Sequence, residues 1–150
     1  MKSLTLWQPW ASLIAIGLKH YETRSWGTKY RGLIAIHAAK RKPTLNECEL
    51  WGDALECANL DPALPGLAIE QQPLGKFVAI ARLTDCFQMQ DDGDQPSDLE
   101  DLLGHWETGR FAWKLNSVID IRHRGIAHRG AQGLQTLTDH ATLLSLAGAA

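Results

Sequence analysis

The sequence predicts an α+β fold of about six strands with three or four helices, arranged as a compact sheet or small barrel rather than a doubly wound parallel sheet. Two observations carry this. Residues 31–38 and 75–85 are apolar on both faces, as strands in the middle of a sheet must be. The helical segments, by contrast, do not alternate strictly with the strands as the crossovers of a parallel sheet would require. A chain of 150 residues has room for one core without disulfides or metals, so residues 1–150 read as a single domain.

The elements follow in order. Leu4, Leu6 and Trp7 open a first strand, and Gln8 and Pro9 turn it into a helix. Trp10, Leu13 and Ile14 share one helical face that Leu18 continues; Pro9 suits the first helical position and Gly17 the left-handed residue that ends it. Residues 20–25 make the second strand, 27–29 a turn and 31–38 the third strand. Lys40, Arg41, Lys42 and Pro43 form a basic connector. Thr44 and Glu47 then make a capping box, and Leu45, Cys48, Trp51, Leu55 and Ala58 recur at helical spacing, so 44–58 is a helix with an acidic outer face.

Asp61 to Gly66 breaks that helix, and a polar stretch leads to the long strand at 75–85. An acidic loop at 90–96 precedes a short helix capped by Ser97. The loop lacks the ligand order and closing glutamate of a calcium-binding hand. A strand at 110–118, its continuation over 119–126, a short strand at 133–137, a helix at 139–147 and a fraying end complete the chain. Trp51 and Trp113 are expected in the core.

The segment Gly17 to Arg24 holds a lysine, a glutamate and an arginine where the first helix stops and the second strand begins. Strand alternation puts His20, Glu22 and Arg24 on one face and Tyr21, Thr23 and Ser25 on the other, with Lys19 at the corner. Such a group is either a surface ion pair of little energetic weight or the start of a functional site. Spacing alone leaves both open.

Charge is polarised beneath a formal net charge of −2. Residues 19–42 carry seven Lys/Arg against one acid, whereas 43–108 carry fourteen Asp/Glu against two Lys/Arg. A polyanion would meet the basic block. Cys48, Cys57 and Cys86 form no Cys-x-x-Cys pair and read as small apolar residues in a reducing compartment, without a metal site. No membrane-spanning run and no signal-peptide pattern stand out, so the expected location is cytoplasmic. Gly-rich phosphate loops, zinc-protease motifs and nucleophile elbows are absent, and no cofactor is implied. His37 reads as an interior or rim residue; His123, His128 and the surrounding arginines read as a polyanion contact. Trp7, Trp10, Trp26 and Tyr30 fall around the motif, and aromatics beside cations are what single-stranded nucleic acid uses.

Pro9-Trp10-Ala11 before a short helix, then Gly17-x-Lys19-x-x-Glu22-x-Arg24, Ser25-Trp26 and Tyr30-Arg31-Gly32 leading to Ile36-His37-Ala38, resemble the ASCH domain family. All four fixed positions of its G-x-K-x-x-E-x-R signature are matched, and residues 75–85 and 111–115 resemble its later strands. The resemblance implies a PUA-like fold, a small β-barrel flanked by helices, with a cleft beside Lys19, Glu22 and Arg24. It also implies an RNA-related role, some members being nucleases or small amidohydrolases. In the amidohydrolases a lysine and a threonine three residues later do the work together with a distant glutamate; here Glu22 stands at that place, with Thr23 adjacent. The region 124–128 lacks the proline turn of similar members, and Gln135 stands where they carry an aromatic.

Three functional expectations follow. In the first, Lys19, Arg24, Lys29 and Arg31 contact phosphates, Trp26 or Tyr30 stacks a base and Glu22 accepts hydrogen bonds from a base edge of RNA or another nucleic acid or nucleoside. In the second, Lys19 and Glu22, with Thr23 nearby, hydrolyse a modified nucleoside or an RNA phosphodiester. In the third, the basic block recognises an acidic protein segment.

Overall fold

The computed structural model describes residues 1–93 and 95–148; Asp94 of the acidic loop and the end at 149–150, expected to fray, lie outside the described residues. The strands are β1 (Lys2–Leu6), β2 (Tyr21–Arg24), β3 (Gly32–Ala38), β4 (Lys76–Gln88), β5 (Phe111–Asp120) and β6 (Leu134–Thr136). The helices are α1 (Trp10–Ala15), α2 (Leu45–Cys57), α3 (Asp98–Leu103) and α4 (Ala141–Ala147). All six strands share one sheet in the order β2-β5-β4-β3-β1-β6. The β1–β3 pair is parallel and the other pairs are antiparallel.

The sheet curls because β4 slips register against both neighbours, beside Ile36 on β3 and beside Arg82 and Asp85 towards β5. Such irregularities sharpen local twist. The curl brings β2 back over β1, with three strands between them in sheet order, and Arg24 Nη2 donates to the Thr5 carbonyl at 3.4 Å. The result is a curled half-barrel of the expected α+β class.

Its concave side holds α1 against Leu4, Ile34, Ile36, Val78, Trp113 and Leu115. A second cluster, with Leu13, Trp51, Leu55 and Leu103 buried in it, ties α1 to α2 and α3, and the Trp51 indole N–H donates to the Leu67 carbonyl at 2.8 Å. Gly17, at φ 79°, ends α1 as expected, with the Leu18 N–H returning to the Leu13 carbonyl at 2.9 Å. Thr44 and Glu47 complete the capping box of α2, and Ser97 caps α3.

Several expectations are corrected. The strand predicted to continue over 119–126 stops at Asp120, because Arg122 folds back in a 3-10 turn to bond Asp120, Gln72 and the Gly66 carbonyl. The second strand begins at Tyr21, leaving His20 outside it. Cys57 is exposed rather than apolar filling, since it sits on the last turn of α2 beyond the buried Leu55. Among the described residues no helix is long and apolar enough to cross a membrane.

Candidate functional site

The turn after α1 aims the signature residues in sequence. Lys19 follows the Gly17 stop so closely that its own N–H also returns to the Leu13 carbonyl, which drives its side chain inward between α1 and α3. There Nζ donates to the Leu103 carbonyl at 3.0 Å and lies 3.9 Å from Glu22 Oε2. Arg24 Nε forms an ion pair with the other oxygen of Glu22 on β2 at 3.2 Å, without hydrogen-bond geometry. Side-chain exposure rises along this line from 1% at Lys19 through 11% at Glu22 to 29% at Arg24, so the charges run from the interior to the surface. Burial pushes the Lys19 ammonium below its ordinary range; Glu22 and Glu100 oppose that and Arg24 adds to it.

Glu22 and Arg24 open into a cleft of about 1220 Å³. One wall is the end of β1 with Trp7 and Trp10; Trp26 and Lys40 flank it, and the segment 127–133 before β6 straps across it. His37 lies at its base, buried, and its ring holds the strap. Nε2 donates to the His128 carbonyl at 3.0 Å, which leaves Nδ1 to accept from Thr5 Oγ1 at 3.2 Å, while Thr5 Oγ1 accepts from the Ala131 N–H at 3.3 Å. That arrangement is complete with a neutral ring, and burial pushes the His37 imidazolium below its usual range despite the His128 carbonyl. Gly130 is required here, because a Cβ at that position would sit 2.9 Å from the His37 ring.

Not all the residues singled out in the sequence meet in this cleft. Glu22, Arg24 and Trp26 do. Lys19 is enclosed behind Glu22 and touches none of the cleft surface. Thr23 points to the opposite face of β2, where its hydroxyl accepts from the His105 N–H at 2.9 Å. Tyr30 packs on the core with its hydroxyl donating to the Leu33 carbonyl at 2.7 Å, Arg31 pairs with Asp85 at 3.3 Å, and Lys29 is exposed beside them. These three precede β3, whereas the cleft sits at its far end around His37. The structure adds Trp7, Trp10, Lys40, His128 and Arg129. Their signals were the basic connector after the third strand, the tryptophans around the motif and the basic stretch at 122–129.

Behind the cleft, on the other side of Lys19, the buried Glu100 carboxylate accepts from the His20 N–H. Glu100 lines a separate groove with Tyr21 and Trp106, so the signature lysine stands between carboxylates that belong to two different surfaces.

A family model described as the ASCH domain matches residues 4–121. The chain is 33% identical over 97 residues to activating signal cointegrator 1 of Homo sapiens and 32% identical over 97 residues to that of Mus musculus. The matched region covers 64% of this chain but only 16% of each of those relatives. Among solved structures, the crystal structure of a mutant ZmASCH protein from Zymomonas mobilis is similar in fold, with a TM-score of 0.52 at 16% identity, covering 97% of this chain and 96% of that one.

Proposed function

Because the chain belongs to the ASCH domain family, we propose that it is a nucleic-acid-binding module whose cleft takes single-stranded RNA. One observation carries the reading: Arg24, Lys40 and Arg129 share a single trough with Trp7, Trp10 and Trp26. Cations attract phosphates irrespective of sequence, and exposed aromatic faces stack unpaired bases. The trough, at about 1220 Å³, exceeds the roughly 300–1,000 Å³ of an ordinary small-molecule pocket and suits a short run of nucleotides. Glu22, paired with Lys19 and Arg24, is a charged hydrogen-bond acceptor within it, available to a base edge or a ribose 2′-hydroxyl. Lys19 then positions Glu22 rather than touching the ligand.

The test is a titration of the protein with short single-stranded RNA, read by fluorescence anisotropy, for wild type and for Lys40→Ala with Arg129→Ala. Binding that the double variant loses while remaining folded supports the reading. Equal binding by both proteins, or binding of an acidic peptide in place of RNA, refutes it.

A second reading, hydrolysis of an RNA phosphodiester or a modified nucleoside, has one observation in its favour. The Glu22 carboxylate lines the cleft, where a water-activating base would stand. Lys19 contributes only through Glu22, and Thr23 faces away. RNA recovered from the same titration reports on it: shortened chains or altered nucleosides with wild type, absent with Glu22→Gln, mark an enzyme.

A further inference from the structure

We infer that Trp7 is a prebuilt stacking platform for one unpaired nucleobase, braced from behind by Arg41 and Glu47. The inference rests on the nucleic-acid reading above and goes further by assigning the residue that reads the base and the two that hold it in place.

Trp7 follows the last residue of β1 and is 56% exposed, a large share for an indole, which normally buries its apolar area. It is not loose. The Arg41 guanidinium carbon lies 4.0 Å from the ring centroid, within stacking distance of the indole. Arg41 is itself fixed, because its Nη2 donates to Glu47 Oε1 at 2.6 Å. The other oxygen of Glu47 accepts from the Thr44 N–H at 2.7 Å in the capping box that starts α2. Burial pushes the Glu47 carboxyl up, but the hydrogen bonds from Arg41 and Thr44 outweigh it and hold the group below its ordinary range, so the brace stays ionised at neutral pH. The rigid N-terminus of a helix thus fixes a guanidinium, and the guanidinium fixes an indole.

The geometry also says which part of the ring is open. Trp7 lines the cleft and Arg41 does not. The guanidinium occupies one side of the indole, and the part of Trp7 that lines the cleft shares that cleft with Lys40 and Arg129. A nucleobase laid there would extend the Arg41–Trp7 stack by one layer while its phosphates reach Lys40 and Arg129. Every base offers a π face, so the platform is tolerant of sequence and demands only that the base be unpaired. Purines, with more overlap, would bind better than pyrimidines.

The experiment compares a fluorescein-labelled octa-adenylate RNA with an abasic ribose-phosphate octamer of the same charge. Wild type is expected to prefer the base-bearing probe. Trp7→Ala is expected to weaken octa-adenylate binding by roughly 5- to 150-fold, leave abasic binding unchanged and keep the salt dependence, since no phosphate contact is lost. Trp7→Phe, which keeps a smaller ring, recovers most of the affinity. Arg41→Lys, which keeps the charge but cannot stack a planar group, gives an intermediate loss on the base-bearing probe only. The exposed position of Trp7 lets the variant fold, which a thermal melt verifies. If Trp7→Ala binds octa-adenylate as wild type does, the platform is refuted and RNA binding stands. If wild type binds neither octamer, both fall together.

Discussion

Salt dependence gives the sharpest test of the cleft, because the number of cations lining it fixes the slope. Each phosphate neutralised on a single strand adds about −0.7 to the slope of log K against log salt. Lys40 and Arg129 are exposed in the cleft and count fully. Arg24 shares its guanidinium with Glu22 at 3.2 Å and counts for something between nothing and a full charge. Two to three effective charges give a slope between about −1.4 and −2.1, so a rise from about 50 to about 200 mM salt should weaken binding by roughly 7- to 18-fold. Removing Lys40 or Arg129 singly should flatten the slope by about 0.7 each. Arg31→Ala should leave it unchanged, because Arg31 is engaged with Asp85 at the start of β3, the end away from the cleft. Anisotropy titrations at several salt concentrations and one fixed pH measure the slope. A slope near zero, or one that responds to Arg31→Ala and not to Lys40→Ala, would falsify the assignment.

Three further outcomes are expected. His37 is neutral and buried, with its folded pKa below the unfolded value, so its contribution to stability is present above about pH 6.5 and is lost as pH falls through the folded value; urea denaturation of wild type against His37→Gln across that range should show a slope in the first that is reduced in the second. Trp51→Phe keeps the aromatic body but leaves the Leu67 carbonyl without its 2.8 Å donor, a loss of about 1–3 kcal/mol visible as a lower urea midpoint at unchanged m-value. Gly130→Ala places a methyl group 2.9 Å from the His37 ring, costing about 1–3 kcal/mol and lifting the strap; RNA affinity should fall while circular dichroism stays native.

The fold was legible wherever a local rule decides it. Gly17 can end α1 because glycine accepts φ 79°, and Thr44 with Glu47 can start α2 because both bonds of the box are local. The signature gave Glu22 and Arg24 their common face through strand alternation alone. What alternation cannot tell is how far the sheet curls, and the curl decides which distant residues share the cleft. Tyr30 and Arg31 stand closer in sequence to Glu22 than Arg129 does, yet Arg129 shares its cleft and they do not. The burial of Lys19 is not legible in the sequence for a related reason. A lysine just past a helix end is ordinarily solvated, and only the packing of α3, whose Leu103 carbonyl receives its ammonium, makes burial possible. The double change Lys19→Ala with Arg24→Ala, a natural first experiment from sequence, would therefore mix a core defect with a surface one.

The cleft lies on the seam where β2 swings back over β1, and that seam is closed by a side chain, Arg24 to the Thr5 carbonyl, instead of a strand ladder. Residues along a ladder are bound to a register, and exchanging them risks the sheet. Residues along a seam owe nothing to register, and the strap at 127–133 can change length at small entropic cost. Descendants of one ancestral half-barrel could thus exchange one ligand for another by editing the seam alone, with the strands left as they were.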